Sequence, residues 1–342
     1  RLRARCRGGA ALGRAKGRAL PVSPFLRDNC EAARSRSKHM GGACCCGEDH
    51  LASEVVQSRT FLLHPGAARD AYELGKPIGI GACATVFEGR SAPSGGGRST
   101  RRALKVLQHD SRGLQLVHKE VNLMADVVHP NIVRMCEVFQ HEGESHLVME
   151  VCDGGHLLQS VLDAKRLSET RAAGTMQQVL RAVRYLHHRQ IVHRDLKCEN
   201  FLWQSRAAAS AAPILKLIDF GAARRFVPGE FMRSAVGTPL FISPEIIRGK
   251  YTEACDLWAC GCILFILLAG YAPFHAKTNP ETYKLIVAAP LRFRAEEWGE
   301  VSAPAQDLVR QLLNRKVKLR ATAATAQLHC WLHEAATSEF EP

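Results

Sequence analysis

Two stretches decide how this chain folds and what it could do: "HRDLKCEN", His193 to Asn200, and "DFG", Asp219 to Gly221. The first places Asp195, Lys197 and Asn200 within one short loop. The second begins nineteen residues beyond Asn200, at the close of the apolar strand "ILKLI". Asp195, Asn200 and Asp219 are a base and two hard oxygen ligands, the set that phosphoryl transfer from a magnesium nucleotide requires.

Upstream of that loop the pattern is mainly strand. "YELGKPIGIGACATVFEG", from Tyr72 to Gly89, predicts two strands around a glycine turn, and "RRALKVL" a third after the Gly/Ser loop "SAPSGGGRST". Residues 113–128 predict a helix, followed by the strands "NIVRMCEVF" and "HLVMEVC". Gly79, Gly81 and Ala84 satisfy G-x-G-x-x-A, which in a dinucleotide-binding unit would open a helix. Here "TVFEG" follows, which is a strand. The turn is therefore a hairpin flap whose backbone can lie over phosphates, with Val86 facing the base. Lys105 on the third strand supplies a cation for those phosphates, and Glu120 on the next helix can pair with it and hold it extended.

Downstream of "CDGGH" the period changes. Met176, Val179, Leu180, Val183 and Leu186 form one stripe of a helix opened near Ser168. An N-terminal sheet lobe with one main helix, then a mainly helical lobe, is an α+β bilobal plan with its join near residues 152–155. Leu257 to Phe274 is an uncharged run of eighteen residues, the length at which a membrane span is considered. Gly270 and Pro273 end that helix early, so it suits a buried core helix better, and neither a signal peptide nor a transmembrane helix is expected.

Composition narrows the function classes. The chain has 342 residues, 46% of them hydrophobic, enough for a real core, and thirteen cysteines. Most of those cysteines stand singly in apolar runs, unlike a disulfide framework, which points to a reducing compartment. The net charge is +13, but residues 1–39 hold eleven Lys or Arg against Asp28 and Glu31. The rest is nearly balanced, so no nucleic-acid partner is expected, and residues 1–39 read as a disordered basic segment or as untranslated sequence.

In this order and spacing the motifs resemble the eukaryotic protein kinases, over Tyr72 to Leu332. The resemblance implies ATP and Mg2+ as cofactors and protein substrates. It implies that Lys105 holds the α and β phosphates with Glu120 as its ion pair, that Asp195 takes the substrate hydroxyl, that Lys197 meets the γ-phosphate, and that Asn200 and Asp219 hold the metals. Met149 matches the gatekeeper, and Glu150 to Cys152 the hinge whose backbone meets adenine. "GTPLFISPE" matches the substrate-facing loop, Glu245 its closing acid, Arg320 the partner of Glu245, and Asp256 the buried anchor under the catalytic loop. "HCW", His329 to Trp331, is similar to the closing His-Pro-Trp. Lys197 and Thr238 resemble the Ser/Thr-specific kinases, and the wider pattern is most similar to the calcium-dependent protein kinases of plants and protists.

The departures are specific. Ala84, Cys198 and Cys330 replace a glycine and two prolines, but none removes a ligand or base. His156 stands where the group usually has a glutamate that helps bind a substrate arginine, so Glu199 alone is left for a basic substrate side chain. No D-x-[DN]-x-[DN]-G loop occurs, and the expectation is that this chain has no EF-hand of its own. A non-catalytic scaffold is the competing class, which the intact Lys105, Asp195 and Asp219 disfavour. His187 and His188 read simply as cations at a helix C-terminus, with no partner spaced to complete a zinc site.

Two regulatory expectations complete the picture. Arg194, beside the base, is placed to bind an anion from "RRFVPGEFMRSAVGT". The candidates are Glu230, already charged and favoured, and Ser234 after phosphorylation. "GGACCC" follows Met40, so translation from that methionine would expose Gly41 for myristoylation beside Cys44, Cys45 and Cys46 for palmitoylation. That would place the protein on the cytoplasmic face of a membrane, with residues 40–71 as tether, residues 72–332 as catalytic domain and residues 333–342 as a short tail.

Overall fold

The computed structural model describes residues 62–81, 84–91, 99–141, 143–205 and 213–337. The candidate acylation residues Gly41, Cys44, Cys45 and Cys46 lie outside them. Among the described residues the chain builds a sheet lobe, then a helical one. The strands of the first are β1 (Leu62–Pro65), β2 (Tyr72–Ile80), β3 (Thr85–Ser91) and β4 (Arg101–Gln108). Helix α1 (Ser111–Met124) follows, then β5 (Met135–His141) and β6 (Glu144–Met149). Their order in one six-stranded sheet is β1-β5-β6-β4-β3-β2.

β2 to β6 pair antiparallel with one another, and β1 is not among the expected strands. β1 lies within the segment read as a tether, and it pairs parallel to β5, Leu62 opposite Glu137 and His64 opposite Phe139. "LLHP" is too short to show a period of two, and its pairing satisfies an edge that β5 would otherwise present to solvent. A 3-10 turn at Ala68–Asp70 then carries the chain across the outer face of the sheet. There Ala68 is fully buried in a small apolar cluster with Tyr72, Leu104, Phe139 and Val148.

The helical lobe begins with α2 (Leu157–Ala164) and α3 (Glu169–His188). α3 is capped by the Ser168 hydroxyl on the Arg171 amide, as its sequence suggests. Its predicted stripe is the one that is buried: Met176, Val179, Leu180, Val183 and Leu186 are all solvent-inaccessible. Short strands β7 (Ile191–Val192), β8 (Phe201–Trp203), β9 (Leu215–Leu217) and β10 (Arg224–Arg225) make two hairpin-like pairs, β7 with β10 and β8 with β9. These pairs bracket the 193–200 loop and deliver Asp219 beside it. β9 is the apolar strand "ILKLI" expected before Asp219, whereas β7, β8 and β10 are too short for sequence periodicity to show.

α4 (Pro244–Ile247) and α5 (Cys255–Ala269) come next. Every residue of α5 is buried, and Gly270 ends it in the left-handed conformation at φ 78°, where an added Cβ would strike the Lys165 carbonyl. The uncharged run is thus a core helix. No helix among the described residues is long and apolar enough to cross a membrane. α6 (Asn279–Ala288), α7 (Ala295–Trp298), α8 (Ala303–Leu312), α9 (Ala323–Gln327) and α10 (Cys330–Thr337) complete the lobe, α7 and α8 packing against α5, α6 against α4, and α9 and α10 against α3. Arg320, nearly inaccessible, forks onto both Glu245 oxygens, with Nη2 to Oε2 at 3.0 Å, locking the end of α4 to the C-terminal helices.

Candidate active site

The site lies where the sheet lobe faces the catalytic loop, and the sequence-predicted residues meet there. Lys105 on β4 donates from Nζ to Glu120 Oε1 of α1 at 2.7 Å and to Asp219 Oδ1 at 3.1 Å. Burial alone would lower the Lys105 pKa, but the two carboxylates more than offset it and hold the ammonium charged. Burial likewise works against the Asp219 carboxylate, yet Lys105 and the Gly221 amide keep its pKa below the usual range. Asp219 sits at φ 62°, a strained backbone for a non-glycine residue that fixes the direction of its carboxylate.

Asp195 is held from both sides. The Thr238 hydroxyl donates to its Oδ1 at 2.7 Å, and Lys197 Nζ donates to its Oδ2 at 2.7 Å and to Thr238 Oγ1 at 3.1 Å. Asn200 gives its Nδ2 to the Asp195 carbonyl at 2.8 Å, which commits the amide nitrogen and leaves Oδ1 as acceptor. Thr238 reaches this position because Gly237, at φ 110°, crosses the catalytic loop closely. A Cβ there would stand 2.9 Å from the Arg194 carbonyl oxygen.

The residues fit a magnesium nucleotide. Asp219 Oδ2 and Asn200 Oδ1 make no hydrogen bond among the described residues, and both are hard oxygens. No group of three or more His, Cys, Asp or Glu converges as a metal cage among the described residues, so an ion here would need further oxygens, as from phosphates. At the hinge, the Glu150 amide donates to the Arg134 carbonyl at 3.0 Å, and its carboxylate accepts from Lys216 Nζ at 2.8 Å. Its carbonyl and the Cys152 amide have no such partner among the described residues, an unpaired edge suited to a planar donor–acceptor base. Burial pushes the Cys152 thiol up to about 12, so it is a packing residue there. Met149 lies across the sheet from Ala103 and Met135 at the back of this cleft. Gly79 pairs with Val86, and the Gly81 amide closes the flap turn on the Ala84 carbonyl at 2.8 Å.

Beneath the loop, Asp256 accepts the amides of His193 and Arg194 at 2.9 and 2.8 Å, and His187 Nε2 at 2.9 Å. His187 is therefore more than a helix-end cation. Nothing in its local sequence marks this, because its partner is 69 residues away. Burial opposes the Asp256 charge, but the hydrogen bonds from His187 and from the His193 amide hold its carboxyl below the usual range.

The regulatory and substrate residues are placed differently from one another. Arg194 Nη1 donates to Ser234 Oγ at 2.8 Å and to the Tyr251 hydroxyl at 3.1 Å, while Nε donates to the Ala222 carbonyl at 2.8 Å. The structure brings Ser234 to Arg194, not the favoured Glu230. Glu230 is exposed, with its side chain in no ion pair among the described residues. Tyr251 was missed, since a lone tyrosine in "GKYTEA" carries no motif. Glu199 is pushed up by burial, and its Oε2 is sealed from solvent with no partner among the described residues. His156 Nδ1 hydrogen-bonds to the Glu199 carbonyl at 3.0 Å rather than adding a second carboxylate.

A protein kinase domain model matches residues 72–332, the span that carries every side chain just described. The chain belongs to the protein kinase family. Among curated proteins this kinase is 34% identical to "Calcium-dependent protein kinase 5" of Plasmodium falciparum over 281 residues, 82% of this chain and 48% of the relative. It is 34% identical to "Calcium-dependent protein kinase 8" of Arabidopsis thaliana over 265 residues, 77% and 49% of the two chains. It is 36% identical to "Calcium-dependent protein kinase 9" of Oryza sativa subsp. japonica over 280 residues, 80% and 47%. The kinase spans about half the length of these curated relatives.

Proposed function

We propose that this chain is an active serine/threonine kinase that transfers the γ-phosphoryl group of ATP, with Mg2+, to Ser or Thr of protein substrates. The observation that carries the proposal is the convergence of the Lys105–Glu120–Asp219 ion triad and the Asp195–Lys197–Thr238 cluster. Lys105 would bind the α and β phosphates. Asp219 and Asn200 would hold the magnesium, which when bound neutralises charge developing on the transferred group. Asp195 orients the acceptor and takes its proton. Its Oδ1 accepts the Thr238 hydroxyl, and a second lone pair on that oxygen remains for an incoming Ser or Thr hydroxyl. Lys197, bonded to Asp195, is placed to meet the phosphoryl oxygens as they pass. Phosphoamino-acid analysis of a labelled protein substrate tests this: label on Ser and Thr, lost with EDTA, is expected. Label on tyrosine, or label insensitive to EDTA, contradicts it.

The substrate preference follows from the Glu199 region. Only one carboxylate is offered to a substrate cation, Glu199, whose Oε2 is sealed from solvent and whose charge is disfavoured by burial, and His156 supplies no second charge of the same sign. Basic selectivity should therefore be weak. A peptide array is expected to show at most a several-fold arginine preference, sharpened by His156→Glu, whereas a strict arginine requirement in the wild type would refute this.

The similarity to calcium-dependent kinases supports a signalling role of that type. The sequence "GGACCC" supports membrane attachment through Gly41 and Cys44 to Cys46, since one acyl chain binds only marginally and a second signal is needed. Cell fractionation should find the wild type in membranes and the Gly41→Ala variant soluble. Equal solubility would end the membrane proposal.

A further inference from the structure

We propose that Tyr251 is a positioning residue of the transfer site: together with Ser234 it satisfies Arg194 with neutral oxygens, so that the stretch "RRFVPGEFMRSAVGT", residues 224–238 and here called the activation segment, is held over the catalytic loop without an anion. This rests on the kinase reading of Asp195, to which Arg194 is the preceding residue. Arg194 is only 8% exposed, so its guanidinium must find acceptors within the protein. Among the described residues its acceptors are the Ser234 and Tyr251 hydroxyls and the Ala222 carbonyl, and no carboxylate is among them.

Tyr251 is the part of this arrangement that is built in. It is 1% exposed, and its backbone is bonded in both directions to Met232, Met232 N to Tyr251 O at 2.8 Å and Tyr251 N to Met232 O at 3.1 Å. Its hydroxyl donates to the Ser234 carbonyl at 2.8 Å while accepting from Arg194. One oxygen thus ties the activation segment to the arginine beside the base. Three residues after Ser234, Gly237 passes against the Arg194 carbonyl, and Thr238 then bonds Asp195. If Ser234 is released from Arg194, the next contact to loosen along the chain is Thr238 on Asp195, which orients the acceptor. Glu230, the charged alternative, is exposed and does not contribute.

The test uses the full chain with Tyr251→Phe, which keeps the ring and removes only the hydroxyl, and reads amide hydrogen exchange across residues 232–238 together with kinetics. A hydrogen bond to a buried charge is worth enough that about tenfold faster exchange and about tenfold lower kcat are expected, with KM for ATP within about twofold. Adding Ser234→Glu to Tyr251→Phe supplies Arg194 with a carboxylate and should restore most of the protection and most of kcat. Unchanged exchange in Tyr251→Phe overturns the proposal. So does faster exchange that Ser234→Glu fails to reverse, because the hydroxyl would then act by packing and not through Arg194. The exchange readout does not need turnover, so a wild type that transferred no phosphate would refute the kinase reading while leaving this measurement decisive.

Discussion

Replacing Asp219 with alanine is expected to lower turnover by about a thousandfold, the scale of loss when a main electrostatic partner of a transferring group is removed. The geometry separates two duties of this carboxylate. Oδ1 is spent on Lys105 and the Gly221 amide, while Oδ2 has no partner among the described residues and points to a role outside the protein. Alanine deletes both, yet Lys105 keeps its shorter bond to Glu120 at 2.7 Å, so the sheet lobe should stay assembled. The expected signature is a collapse of kcat with an almost unchanged melting temperature. Raising Mg2+ should recover little, because the missing ligand is a protein oxygen. Turnover within tenfold of wild type would remove Asp219 from the metal role.

Replacing Asp256 with alanine should act on the fold as much as on the chemistry. The substitution leaves the buried amides of His193 and Arg194 without acceptors and His187 without its partner. Breaking one member of a buried charged set typically costs about 3–5 kcal/mol, a large part of the roughly 5–15 kcal/mol available to a domain. Denaturant unfolding should show the loss, and kcat should fall with it because Arg194 and Asp195 move with their loop. The sign of the pH dependence follows from the depressed Asp256 pKa. The folded-state value lies below the unfolded one, so the contribution is complete above the ordinary carboxylate range and is lost as pH falls through the folded value. The stability gap between wild type and Asp256→Ala should therefore be constant near neutrality and narrow toward acid. A gap that widened on acidification would contradict the assignment.

What the sequence made legible was whatever depends on residue type at fixed spacing. Lys105 and Asp219 are 114 residues apart and meet at 3.1 Å, yet each belongs to a short pattern that could be found before any geometry. The same holds for Glu245 with Arg320, for the α3 stripe and for the buried α5. The sheet lobe was legible except for β1, whose four residues gain their conformation from pairing with β5 and not from their own alternation.

The contacts around the activation segment were not legible, for a physical reason. Arg194 could be matched to an acceptor only by knowing which backbone approaches it. Charge alone favoured Glu230, whereas the two-way bond between Met232 and Tyr251 brings Ser234 and a tyrosine hydroxyl into reach instead. His187 and Asp256 are a similar case. Asp256 was matched to the buried anchor, but His187 looked ordinary in its own helix, and only the packing of α3 against α5 turns that terminal histidine into the anchor's partner.

The most direct test of the central claim, that the Asp195 cluster performs phosphoryl transfer to a hydroxyl, is single-turnover transfer of label from γ-labelled ATP to a protein substrate, wild type against Asp195→Asn. Asparagine keeps the size of the side chain and can still accept from Lys197 or Thr238, but it is neutral and cannot take the acceptor's proton. The account predicts rapid transfer by wild type, a fall of about a hundredfold or more in Asp195→Asn, and unchanged nucleotide binding in both. Equal transfer rates in the two proteins would contradict it.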